Sequence, residues 1–474
     1  MKFLLVLYCA LLVAISAKAA EESLPIRGYY MTFMRMPAWG LPEWKQAVDC
    51  LAEDGANTLI LWMAGGFRSA KYPITWSYNE EHQNVREDFA RDLIDYAHTK
   101  KIRVLLGFTP YGYDGVNQIP IERPELKARK ADGSPVDRFG IHCWGWSLCP
   151  SQEEARAFLL EYIREMAFEF YPNADGLMIE SSDYDICRCE ACAKEPYQRE
   201  YAFVRQISEE VWKRNADAII MVYPHYFSGR KVNPGTSIET ETPRLELDPR
   251  WTLFFTPHSA HLDEDLVARA GSAVFWNEGL TLGTPALVRD GVRKARASKL
   301  SGYMPSLEPF SYLMPQAEFG AGAKGQRIIP LGFDWMKEGA MPLLELPARL
   351  MRLAFREYTR WPEMPEEEFR TRVGREFFGL GATPEKIEDL LFVQACVNHN
   401  RDWSWASPLV DPELFQAKSA REKWPQERIA EYHRRIERLE QIATRYAAAE
   451  NGSEKEMQRI ASFIVQRWEK FRKK

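Results

Sequence analysis

Leu177-Met178-Ile179-Glu180-Ser181-Ser182-Asp183 sets a short apolar run directly before an acidic, hydroxyl-rich one. The apolar part reads as a buried strand, Gly176–Glu180, and the polar part as the loop into which it opens. A hundred residues later the pattern returns, with Ala273-Val274-Phe275-Trp276 followed by Asn277-Glu278-Gly279. In a parallel sheet all strand ends open on one face, so carboxylates far apart in sequence can converge there.

Outward from this strand, strand-like and helix-like segments alternate from Arg27 to about Tyr312, which predicts a parallel sheet with crossover helices. The strands expected are Gly28–Phe33, Asn57–Trp62, Arg103–Phe108, Gly176–Glu180, Ala218–Tyr223, Thr252–Thr256, Ala273–Trp276 and Gly302–Pro305. Helical patterns fill the gaps: Pro42–Glu53, Glu87–Thr99, Gln152–Phe170, Tyr197–Arg214, Asp263–Ala270 and Pro285–Ser298. Eight such units predict an α/β fold, a (β/α)8 TIM barrel over residues 20–332. A long insertion, Tyr111 to Pro150, follows the third strand, and a loop of that length is usually functional. Beyond Phe333 the helical patterns Pro347–Glu357, Pro365–Phe378, Pro384–Asn398, Gln426–Ala449 and Ser453–Phe471 predict a C-terminal α-helical region, residues 333–474, packed on the barrel.

At the N-terminus Lys2, the apolar core Phe3 to Ile15 and Ala17-Lys18-Ala19 read as a signal peptide over residues 1–19, cleaved near Ala19. The expected product is secreted or periplasmic, and no segment is long enough for membrane insertion. Loss of Lys2 and Lys18 takes the formal charge from −5 to −7, which disfavours nucleic acid as a partner.

The strand ends supply Tyr30 and Arg35, Trp62, Tyr111 and Tyr113 with Asp114, Glu180 and Asp183, His225 and Tyr226, His258, Trp276 with Asn277 and Glu278, and Glu308. Carboxylates protonate and stabilise, His and Asn position hydroxyls, and aromatic rings pack on sugar C–H faces. Glu180 and Glu278 form the two-carboxylate pair that glycosidic cleavage requires, Glu180 as acid and Glu278 as nucleophile or base. Asp183 allows another route, in which it orients a substrate acetamido group that itself attacks. Trp144, within the insertion, joins Trp62 and Trp276 as an expected sugar-binding wall. Each residue alone is more often a solvated or packed strand end; the conjunction points to a carbohydrate substrate. A carbohydrate-binding barrel without catalysis keeps the same aromatics. A metal-dependent hydrolase would need His225 and His258 with an acid, yet no H-x-H or H-E-x-x-H spacing is present. No cofactor is expected to be required for catalysis.

Cys187-Arg188-Cys189-Glu190-Ala191-Cys192 carries three thiols in six residues. With Cys149 or Cys143 as a fourth ligand they suit a structural zinc, and the rival is disulfide pairing. In either case the cluster staples the loop that carries Asp183.

Leu148-Cys149-Pro150-Ser151, the run Asp175 to Glu180 and the three-cysteine stretch together resemble bacterial (β/α)8 proteins related to family 20 hexosaminidases and family 67 α-glucuronidases. Phe355-Arg356-Glu357-Tyr358-Thr359-Arg360-Trp361-Pro362, followed by Phe369 to Gly379, is similar to the helical region after the barrel in such enzymes. The resemblance implies an exported glycoside hydrolase. It also implies an Asp–Glu pair ending strand four, but Ile179 stands where the Asp would be.

Overall fold

The computed structural model describes residues 23–33, 39–77, 80, 83–112, 115–139, 144–180, 186–195, 197–228, 231–232, 240–241, 244–256, 264–277, 283–307, 311–315, 324–328, 345–397, 408–410, 412–450 and 452–473. Eight strands form a closed barrel in chain order: β1 (Ile26–Thr32), β2 (Thr58–Trp62), β3 (Arg103–Phe108), β4 (Gly176–Ile179), β5 (Ile219–Val222), β6 (Trp251–Phe255), β7 (Ser272–Asn277) and β8 (Gly302–Leu307). All pair in parallel, and the barrel shuts where Ile26 of β1 meets Gly302 of β8. These are the eight strands expected, displaced by at most two residues at either end. Their sequences are apolar at successive positions because one face meets the lumen and the other the helices. In β2, Thr58-Leu59-Ile60-Leu61-Trp62 is buried throughout.

Helices α1 (Leu41–Glu53), α2 (Ala90–Thr99), α3 (Glu153–Arg164), α4 (Gln198–Arg214), α5 (Glu264–Arg269) and α6 (Pro285–Ala297) occupy the crossovers. In α1 the buried Trp44, Ala47, Val48 and Leu51 recur at helical spacing, and Glu43 caps the start by accepting the Gly40 N–H at 2.9 Å. Two predicted helices differ. The segment expected at Glu87–Thr99 is two helices, Gln83–Glu87 and α2, because Asp88 takes a left-handed conformation (φ 48°) between them. The segment Gln152–Phe170 is α-helical to Arg164, then widens to a π-helical turn over Glu165–Phe170. The wider turn brings the buried Glu165 carboxylate to Ser69 Oγ (2.6 Å), Ala70 N (2.9 Å) and Lys71 N (3.3 Å) in the loop after β2.

Strand periodicity selects the lumen residues. Trp62 lies level with Gly107 and Gly107 with Met178, while Trp276 lies level with Met304. Gly107 makes room for an aromatic ring: a Cβ there would sit 2.8 Å from the Trp62 ring.

The chain divides into two compact units, one comprising Ile26–Asn277 with Ala295–Ile328, the other including Glu278–Lys294 and Ile329–Lys474. The second unit holds most of α6 together with α7 (Leu346–Arg360), α8 (Glu366–Phe378), α9 (Pro384–Val397), α10 (Pro412–Arg421), α11 (Gln426–Arg445) and α12 (Gly452–Arg472). Within it, Gln394 Nε2 donates to Gly283 O at 2.6 Å and Arg293 Nε to Pro362 O at 3.0 Å. The stripe Tyr432, Ile436, Leu439 and Ile442 is the buried face of α11. α10 is a helix without a counterpart in the sequence reading. Among the described residues no helix is long and apolar enough to cross a membrane.

Candidate functional site

Glu180 follows the last residue of β4. Its N–H donates to Phe108 O at 2.9 Å, so the ladder with β3 extends one residue further. The carboxyl therefore falls on the same side as Met178, into the lumen at the C-terminal end of the barrel. The residue is 9% exposed, and the Tyr30 hydroxyl donates to Glu180 Oε2 across 3.5 Å. The Tyr30 ring in turn lies 5.7 Å from that of Trp62 and 6.2 Å, edge-on, from that of Trp276. A buried carboxyl within reach of a hydroxyl at the end of a barrel strand is a group that can exchange a proton with a bound molecule.

Of this aromatic group Trp62 is fully buried, supporting Tyr30 and offering no surface of its own. That corrects its assignment to a sugar-binding wall. Trp276 is half-buried, and its buried Nε1 has no hydrogen-bond partner among the described residues. Thr109, missed in the sequence reading, sits next to Glu180 in the β3–β4 register; its buried hydroxyl likewise lacks a partner among the described residues. Ser306, also missed, is buried at the β8 position level with Tyr30. Strict alternation along β3 and β8 was the signal that identifies both.

Other expected site residues lie elsewhere. Asn277 adjoins Trp276 and so faces the other way, toward the helix layer. Its Oδ1 accepts the Tyr303 hydroxyl at 2.7 Å, and Tyr303 is wholly buried beside Phe275. Tyr111 packs edge-on against Phe203 of α4 and has no exposed surface, with its phenol held well above the usual range by burial. His225 is buried against Tyr197 and Tyr226, ring centroids 4.9 and 4.0 Å away, and burial pulls its pKa down to about 3, so it is a neutral packing residue near pH 7. Tyr226 is buried too, its hydroxyl bonded to Glu200. None of these four belongs to the Tyr30–Trp62–Trp276 group. Arg35, Tyr113, Asp114, Asp183, His258, Glu278 and Glu308 lie outside the described residues, as does the Trp144 side chain. The Trp144 backbone belongs to the small hairpin of Asp137–Phe139 and Trp144–Trp146.

Cys149, Cys187, Cys189 and Cys192, the predicted ligand set, are brought together with all four Sγ atoms within 4.8 Å of one another. Cys143 lies outside the described residues.

The sequence matches no protein-family model and none of the curated proteins. Solved structures do share the architecture. A GH138 enzyme targeting the pectin rhamnogalacturonan II superposes with a TM-score of 0.51 at 11% identity, over 94% of this chain and 56% of that one. A GH20 exo-β-N-acetylglucosaminidase from Vibrio harveyi gives 0.46 at 13% identity, over 80% of this chain and 59% of that one. The likeness is one of fold. The chain is a (β/α)8 barrel followed by a helical region, and it spans a little over half the length of these two structures.

Proposed function

We propose that the protein is a glycoside hydrolase acting on oligo- or polysaccharide, with Glu180 as proton donor and Glu278 as nucleophile or base. One observation carries this reading: the buried Glu180 carboxyl ends β4 on the lumen side, within reach of the Tyr30 hydroxyl and beside the Tyr30–Trp276 rings. A sugar leaving group departs poorly unless its oxygen is protonated, and a carboxyl facing the bound sugar can supply that proton. The partly exposed Trp276 ring offers a surface for the C–H face of a sugar. Glu278 follows Trp276 by two residues, the spacing that keeps one side of a strand, which supports it as the second carboxylate. The N-terminal pattern through Ala19 supports export, and the long insertion after β3 supports a pocket closed at one end, hence exo-action on short chains.

A panel of chromogenic glycosides tests the proposal. A hydrolysed member identifies the sugar, and Glu180→Gln then lowers turnover by about 10²–10⁴-fold. Undiminished turnover in Glu180→Gln removes this residue from the role of acid. Tight sugar binding with no hydrolysis by the unaltered protein marks a binding barrel instead.

A further inference from the structure

The insertion after β3 ends at Cys149, and the segment that follows Glu180 carries Cys187, Cys189 and Cys192. Here the four sulfurs meet. Cys149 Sγ lies 3.4 Å from Cys187 Sγ, 3.8 Å from Cys189 Sγ and 3.9 Å from Cys192 Sγ. None of the four is in a disulfide. Zinc binds thiolate sulfur at about 2.3 Å, so a tetrahedral site has sulfur–sulfur edges of about 3.8 Å. The three edges at Cys149 are close to that length, and the remaining three are within 4.8 Å.

Its surroundings also suit four anionic sulfurs around a cation. The Arg129 N–H donates to Cys187 Sγ at 3.3 Å, and the Ser151 hydroxyl lies 3.0 Å from Cys149 Sγ and 3.5 Å from Cys189 Sγ. Donors of this kind orient and stabilise metal-bound thiolates. Ala128 and Val136 close the site on the insertion side, so water does not solvate the sulfurs freely. Four uncompensated thiolates at such range would repel strongly in an apolar setting. Sulfur-only tetrahedral ligation selects zinc or iron among common ions.

The backbone is arranged to hold the ligands. Cys149 N–H donates to Leu126 O at 2.8 Å and Arg188 N–H to Arg129 O at 2.6 Å, tying both ligand-bearing segments to one strip of the insertion. Cys189 precedes the short helix Glu190–Lys194, and Cys192 follows within its first turn.

We propose that Cys149, Cys187, Cys189 and Cys192 bind one zinc ion, and that this ion clamps the insertion after β3 to the segment after Glu180. The clamp is structural: all four coordination positions are taken by protein, leaving none for a substrate. It does not depend on the hydrolase reading.

The test uses the full chain, purified without chelators, with zinc measured by mass spectrometry. One zinc per chain is expected, and Cys189→Ser with Cys192→Ser is expected to contain none. Cys189→His keeps a ligand at that position and is expected to retain zinc, which guards against mere misfolding of the serine variant. With zinc bound, alkylation of the four thiols is at least about tenfold slower than after chelation. Cobalt exchanged into the site gives the visible bands of a tetrahedral tetrathiolate. A folded, metal-free protein whose thiols are disulfide-linked or react freely overturns the proposal, as does a preparation that holds iron in place of zinc.

Discussion

The Tyr30 hydroxyl on the first barrel strand lies 3.5 Å from Glu180 Oε2 at the end of the fourth. A hydroxyl at that range can hold the carboxyl in the orientation proton transfer needs. Tyr30→Phe is therefore expected to lower kcat by about tenfold with a smaller change in KM, read from steady-state kinetics on a hydrolysed glycoside. An unchanged kcat would separate Tyr30 from the acid.

Trp276 is half-buried and lies edge-on to Tyr30, and aromatic packing against a sugar would contribute about 0.5–1.5 kcal/mol. Trp276→Ala is expected to raise KM by about three- to tenfold while kcat changes less, because stacking holds ground and transition states alike. Trp276→Phe is expected to recover most of the loss. Steady-state kinetics on the best glycoside give both numbers, and a fall in kcat alone contradicts the assignment.

His225 gives the protein an acid-sensitive fold. Buried, its pKa stands at about 3 against about 6.5 in the unfolded chain, so the unfolded state takes up a proton first as the pH drops. The stability tied to neutral His225 is complete above about pH 6.5 and is lost as pH falls from there toward 3. Between pH 7.5 and pH 4.5 the unaltered protein is expected to lose about 2 kcal/mol more than His225→Phe. Urea unfolding at the two values measures it. Parallel losses would show that the imidazole is not the sensor.

At the other end of the barrel, Gly176 begins β4 where a Cβ would stand 1.9 Å from Ile219 O. That oxygen belongs to the backbone of β5 and cannot move aside without parting the two strands. Gly176→Ala is expected to destabilise the barrel by about 3 kcal/mol, seen as a lower urea midpoint. An unchanged midpoint would mean that strands β4 and β5 are not so closely apposed.

The barrel was legible because each strand is an apolar run bounded by polar turns, and burial on both faces leaves little room for other patterns. Helix boundaries were less so. Nothing in Glu87-Asp88-Phe89 announces that Asp88 turns left-handed, and the widening at Glu165 answers to Ser69, far away in sequence. In the site, Glu180 was found from its place at a strand end. Trp276 and Asn277 were both assigned to the lumen, though adjacent strand residues point to opposite faces; the period-two rule already excluded one of them. Tyr111 and His225 could not have been placed from local pattern. Their burial depends on Phe203 in one case and on Tyr197 in the other, both supplied by the crossover between β4 and β5. The cysteines were the reverse case, since thiols spaced so closely restrict where a fourth partner can stand.

The route of the chain at Asn277 bears on how the molecule can be dissected. After β7 it leaves the barrel unit, contributes Glu278–Lys294 to the helical one, returns at Ala295 for β8, and departs again beyond Ile328. The two units thus alternate along the chain, and the helices are not a cassette that a stop codon after Ile328 could delete. Such a truncation would take Gln394 and Pro362 away from Gly283 and Arg293, orphaning the very stretch that delivers the last barrel strand.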